Sequence, residues 1–100
     1  MGIVISHADG ASRSALTIEN LGKHLAHALP ARDWRQIRDL FDGTFDDTAS
    51  IPPKKAGQIA AILRTASNSR RMPGEWDGLA RLIADAADRA HRAGQPWRWS

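Results

Sequence analysis

The sequence predicts an α+β fold that is mainly α, with about four helices and a small sheet formed by short N- and C-terminal strands. Three observations carry this expectation. Trp76, Leu79, Ala80, Ile83, Ala86, Ala87 and Ala90 recur at three- and four-residue steps until Gly94, which is one apolar stripe on one long helix. Immediately beyond it, Gln95-Pro96-Trp97-Arg98-Trp99 alternates with the two-residue period of a strand, placing both tryptophans on one face. Pro30, Gly43, Pro52-Pro53 and Pro73-Gly74 then divide the remainder into segments of helical length.

Taken in order, residues 3 to 6 have the character of a short strand, and the polar stretch from His7 to Ser14 carries no obvious stable element. Ile18, Leu21, Leu25, Ala28 and Leu29 trace the face of a first helix over about residues 15 to 29, with Thr17 in its first turn or at its cap and Pro30 ending it. Asp33 can cap a shorter second helix whose Trp34, Ile37, Leu40 and Phe41 point inward before Gly43 stops it. These two form an antiparallel hairpin. Residues 44 to 50 are acidic and turn-rich, with a brief strand expected near Ala49 to Ile51. Pro52-Pro53 opens the third helix, because a first-turn amide has no helical partner to lose. Its inward stripe is Ala56, Ile59, Ala60, Leu63 and Ala66, with Gly57 a point of close contact. A basic connection from Asn68 to Gly74 leads into the fourth helix at Glu75.

One hundred residues without repeats, low-complexity tracts or long connections predict a single domain over residues 1–100, with about 60 to 65% of its extended surface buried. Of its 42 hydrophobic residues, 17 are alanine, so core volume must come from a few large side chains and close helix approach. The two strands at the chain ends are expected to pair with one another and draw the termini together.

Cysteine is absent, which excludes disulfides, thiolate catalysis and sulfur-bound zinc. With neither a basic leader nor a long apolar run, the chain is expected to be cytoplasmic and to have no membrane partner. The net charge of +3 is unevenly spread: no acid lies between Asp47 and Glu75, whereas Lys54, Lys55, Arg64, Arg70 and Arg71 do, and Asp39, Asp42, Asp46 and Asp47 form an acidic run. Such a dipolar surface can steer a charged partner, or can simply be solvated rims.

Leu29-Pro30 with Asp33-Trp34, Ile51-Pro52-Pro53 leading into Ala56, Ile59, Ala60 and Leu63, Arg71-Met72-Pro73 with Trp76, and Gly94-Gln95-Pro96-Trp97-Arg98-Trp99 make a set of landmarks. In these the chain resembles an uncharacterised family of small proteins from high-GC actinomycete bacteria and their mobile elements, over about residues 15 to 100. The resemblance implies no activity, cofactor or substrate.

No catalytic, cofactor or metal constellation emerges from the residues. Ser6-His7 with Asp9 has the residue types of a nucleophile, base and orienter, but adjacent strand side chains point to opposite faces and working triads gather distant segments. His24 and His27 are three apart on the first helix, yet His24 falls at the border of the buried stripe and His27 nearly opposite it, with no evident third ligand. The glycines match no nucleotide-binding fingerprint. The expectation is a small non-enzymatic protein-interaction module, accessory or regulatory, that binds an unidentified protein or itself. Its candidate partner-binding residues are Arg64, Arg70, Arg71, Trp97, Arg98 and Trp99, the tryptophans being either anchors or core. The alternative is a nucleic-acid-associated protein using the basic 54–71 region, whose arginines suit phosphate. The second helix is too apolar and acidic to read a major groove.

Overall fold

The computed structural model describes residues 2–8, 12–41 and 49–100. Within them the order is β1 (Gly2–Val4), β2 (Ser12–Ser14), α1 (Ala15–Ala28), α2 (Ala31–Phe41), β3 (Ala49–Ile51), α3 (Pro53–Ser67), α4 (Gly74–Ala93) and β4 (Trp97–Trp99). The α+β, mainly α class is therefore as expected. The acidic run at Asp42, Asp46 and Asp47, the stop at Gly43 and the third member of the Ser6-His7-Asp9 set lie outside the described residues.

Helix ends follow from local chemistry. The Ser14 side chain accepts from the Thr17 amide at 3.1 Å, so Ser14 caps α1 and Thr17 sits inside the first turn, its hydroxyl 2.8 Å from that of Ser14. For α2 the Pro30 carbonyl takes the Asp33 and Trp34 amides, each at 3.0 Å. The helix thus starts at Ala31 and Asp33 becomes a first-turn acid, favourable at the positive end of the helix dipole, rather than its cap. Pro52 and Pro53 open α3 as expected. Gly94 closes α4 in the left-handed region (φ 65°, ψ 29°), where a residue with a Cβ is disfavoured.

The termini meet, but through more partners than the sequence predicts. β1 pairs antiparallel with β2, and β3 with β4, giving two two-stranded sheets. A single antiparallel bridge, Ile5 to Trp99, joins them, flanked by reciprocal Val4 and Ser100 hydrogen bonds of 2.7 and 2.9 Å and by Ser6 N–H to the Arg98 carbonyl at 2.8 Å. β2 falls in the stretch expected to lack structure, because Ser12-Arg13-Ser14 has no apolar alternation and is a strand only by pairing with β1.

One hydrophobic cluster draws on all four helices and on β1, β3 and β4. α3 and α4 form the most extensive pairing among the described elements. Their facing alanines, Ala56, Ala60 and Ala66 on α3 and Ala80, Ala84, Ala87 and Ala90 on α4, are all buried, which lets the backbones approach. Gly57 marks that approach: a Cβ there would lie 2.8 Å from the His91 ring, whose Nδ1 donates to the Pro53 carbonyl at 2.9 Å. Ile62 and Ser67 are buried on α3 in addition to the expected stripe, since that helix is covered on more than one side. Trp97 and Trp99 alternate with exposed Arg98 as the strand period requires.

Candidate protein-contact groove

The long helix α4 buries Ala80, Ile83, Ala84, Ala86, Ala87 and Ala90, which leaves a second stripe on the far side of the cylinder. That stripe is Glu75, Gly78, Leu82, Asp85 and Arg89, spaced by three and four residues; Glu75, Gly78 and Arg89 are exposed and the other two half-buried. Beside it run Trp76 and Leu79, partly buried against the core. The start of α1 and the N-terminal segment form a facing wall.

Two clefts result. One, of about 370 Å³, is lined by Arg13 and Thr17 on one side and by Glu75, Trp76, Gly78, Leu79 and Leu82 on the other. The second, of about 400 Å³, is lined by Ala8, Gly78, Arg81, Leu82, Asp85 and Arg89. They share Gly78 and Leu82 and so make one continuous groove over the outer face of α4. Its floor is apolar because Leu79 and Leu82 lie there, and Gly78 is exposed beside them with open space at its missing Cβ, which would meet nothing within 4 Å. Trp76 is held in place by His24 of α1, with ring centroids 5.0 Å apart. A third, smaller cleft of about 200 Å³ lies between α1 and α2 against Trp34 and Phe41.

The residues expected to bind a partner are not gathered by the fold. Trp97 and Trp99 are 0% exposed and stack edge-on at 5.3 Å, so the core takes both and neither is an anchor. Arg98 between them is exposed. Arg64 reaches across from α3 to Asp85 of α4 at 2.8 Å, with Asp88 at 3.8 Å, and Asp88 also pairs with Arg92 at 3.0 Å. The last of these lies within α4, as does the pair of Arg81 with Asp77 at 3.8 Å. Arg70 and Arg71 are exposed on the turn between α3 and α4. Lys54 and Lys55 lie at the opposite end of α3, about 15 Å from Arg64 along the axis, and Lys55 and Arg64 point roughly 180° apart. The basic 54–71 region is therefore not one face.

The Arg64 and Asp85 side chains are 45% and 48% exposed, which keeps the pair in high dielectric. A double-mutant cycle with Arg64→Ala and Asp85→Ala is expected to give a coupling of under about 1 kcal/mol that shrinks in high salt. A coupling that survives molar salt would contradict this.

Ser6 and His7 make a turn. The Ser6 hydroxyl accepts from the Arg98 amide at 2.8 Å and lies 2.9 Å from His7 Nδ1, while His7 Nε2 lies 2.9 Å from Gln95 Oε1. With the hydroxyl donating to Nδ1 and Nε2–H donating to Gln95, every one of these groups is matched. The Ser6 carbonyl meanwhile accepts from the Trp97 indole at 3.1 Å, and Arg89 donates to the His7 carbonyl at 2.8 Å. These bonds hold His7 at φ 64°, where the chain leaves the strand. Elsewhere, His27 is exposed and His24 lies against Trp76, and among the described residues no three histidines or carboxylates are grouped to hold a metal.

The fold is thus that of a small helical domain with an open, half-apolar groove. Residues 7–100 match the family described as a domain of unknown function (DUF7739), and the chain belongs to that family. The match begins at His7, earlier than the landmark residues alone imply, and so takes in β2. No curated protein and no solved structure matches the chain. No helix among the described residues is long and apolar enough to cross a membrane.

Proposed function

We propose that the chain is a small non-enzymatic interaction module that contacts a protein through the groove on the outer face of α4. The observation that carries this reading is the coincidence of a half-exposed apolar floor, Trp76, Leu79 and Leu82, with an unfilled position at Gly78 and charged rims at Arg13, Glu75, Arg81 and Arg89. An aromatic and two leucines ringed by charge are the composition of a contact patch, with an apolar centre that excludes water and a polar rim. The nucleic-acid alternative draws less support, since Arg64 is already neutralised by Asp85 and the lysines lie at the other end of α3.

Gly78→Gln tests the reading without endangering the fold. It fills the groove, meets no neighbour at its Cβ, and gains about 0.5 kcal/mol of helix propensity. Affinity capture from the native host, with and without nuclease, is expected to retain a discrete protein in both lysates with the wild-type chain and to lose it with Gly78→Gln. Loss of every captured partner after nuclease treatment would move the assignment to nucleic acid. Capture unaffected by Gly78→Gln would remove the groove as the contact site.

A further inference from the structure

We infer that the smaller cleft between α1 and α2 is a binding site for a free α-amino acid with a large apolar side chain. It is a separate site from the groove on α4 and does not rest on the contact reading given for that groove.

The cleft, of about 200 Å³, has walls of different character. On α1 it is lined by Glu19, Gly22, Lys23 and Ala26, which are spaced by three and four residues and so share one face. Gly22 and Ala26 carry almost no side chain and leave an apolar floor, against which α2 sets Trp34 and Phe41. At Gly22 the two helices touch, since a Cβ there would lie 2.7 Å from the Phe41 Cβ, and this contact fixes the Phe41 wall. Ala26 is exposed and Trp34 half-buried, so part of the indole surface stays open to a ligand. Glu19 and Lys23 are the two charged residues of the lining. Four residues apart on one helix, acid first, they stand as Asp77 does to Arg81 and Asp88 to Arg92, both of which pair within α4. Among the described residues, neither Glu19 nor Lys23 is in an ion pair. A ligand with only a cation would meet Lys23, and one with only an anion would meet Glu19, each a like-charge contact. A zwitterion satisfies both, with its ammonium on Glu19 and its carboxylate on Lys23. The two side chains leave the helix about 6 Å apart along its axis, close enough to reach one amino-acid head group between them. The apolar side chain of the ligand then lies over Ala26 against Trp34. The volume is below the roughly 300 to 1,000 Å³ of sites for drug-sized molecules, which suits a ligand of amino-acid size.

Titration of L-phenylalanine into the full chain, followed by heteronuclear NMR, is expected to give a saturable shift of the Trp34 indole N–H and the Gly22 amide at millimolar ligand. Phenethylamine lacks the carboxylate, phenylpropionate lacks the ammonium, and N-acetylphenylalaninamide has neither charge; each should bind roughly tenfold more weakly. Lys23→Gln should remove the preference for L-phenylalanine over phenethylamine, and Glu19→Gln the preference over phenylpropionate. A merely structural effect of either substitution would lower all affinities together and leave those ratios in place. Ala26→Gln, at an exposed helix position, fills the floor and should abolish the saturable shift while the helical circular dichroism is kept. The inference is overturned by the absence of a saturable shift at Trp34, by binding that survives Ala26→Gln, or by any of the three analogues binding as tightly as L-phenylalanine. Equal affinity for N-acetylphenylalaninamide would instead make the cleft a socket for an aromatic side chain of another protein.

Discussion

Trp99→Ala is expected to destabilise the protein by about 3 to 5 kcal/mol, the range for emptying a buried aromatic site. Trp99 is fully buried and touches two other large aromatics edge-on, Phe41 of α2 at 5.4 Å and Trp97 at 5.3 Å between ring centroids. Its backbone pairs with Ala49 of β3 and bridges to Ile5 at the other end of the chain. Removing the indole therefore opens a cavity where a helix and both two-stranded sheets converge, and a thin core rich in alanine has few long side chains to collapse into it. Typical domains have only about 5 to 15 kcal/mol in hand, so the variant should be largely unfolded well below the wild-type midpoint. Urea unfolding followed by far-ultraviolet circular dichroism measures this without relying on the lost fluorophore. A shift under 1 kcal/mol would mean that Trp99 is not the packing node the structure makes it. Trp99→Phe keeps an aromatic ring and should lose markedly less.

The second large effect is a contrast in sign. Gly22→Ala and Gly78→Ala make the same chemical change in the interior of two helices, and each gains about 1 kcal/mol of helix propensity. At Gly22 the new Cβ would stand 2.5 Å from the Phe41 carbonyl oxygen and 2.7 Å from the Phe41 Cβ. Neither atom is the tip of a flexible chain, so α1 and α2 must separate, and overpacking of this kind costs about 1 to 3 kcal/mol. Phe41 also abuts Trp99, so the displacement enters the core. The net expectation is a loss of up to about 2 kcal/mol at Gly22 and a gain of up to about 1 kcal/mol at Gly78, where nothing lies within 4 Å. Parallel thermal melts of the two variants decide it, and equal shifts of the same sign would refute the contact geometry.

Much of the architecture could be anticipated because helices and caps depend on neighbours in sequence. The α4 stripe, the Gly94 stop in the left-handed region, the double proline at the start of α3 and the shared face of Trp97 and Trp99 all follow from periods of 3.6 and 2 and from the missing proline amide. The Ala49–Ile51 strand is also where the sequence places it. β2 was not, since its residues have no strand character of their own and acquire it from β1. Gly22 carried no local signal either: it looks like any helix-interior glycine until Phe41 is brought against it.

The contact groove was less accessible still. Arg64, Arg70 and Arg71 stand out by charge and Trp97 and Trp99 by size, but charge and size do not reveal that Asp85 answers Arg64 or that the core takes both tryptophans. The residues that line the groove, Gly78, Leu79 and Leu82, look from sequence like the edge of an ordinary helical stripe. A search for the residues opposite that stripe, at Glu75, Gly78, Leu82, Asp85 and Arg89, is the signal that could have found them.

Residue order alone thus settles which segments coil, where they stop and which faces turn inward, because those properties are decided within a few residues by sterics, hydrogen-bond geometry and apolar periodicity. The tertiary structure decides which helix backbones touch, which arginine is spent on which aspartate, how the two ends of the chain are laced together and which half-apolar face remains uncovered. Those outcomes depend on distances between segments far apart along the chain, and no local pattern encodes a distance.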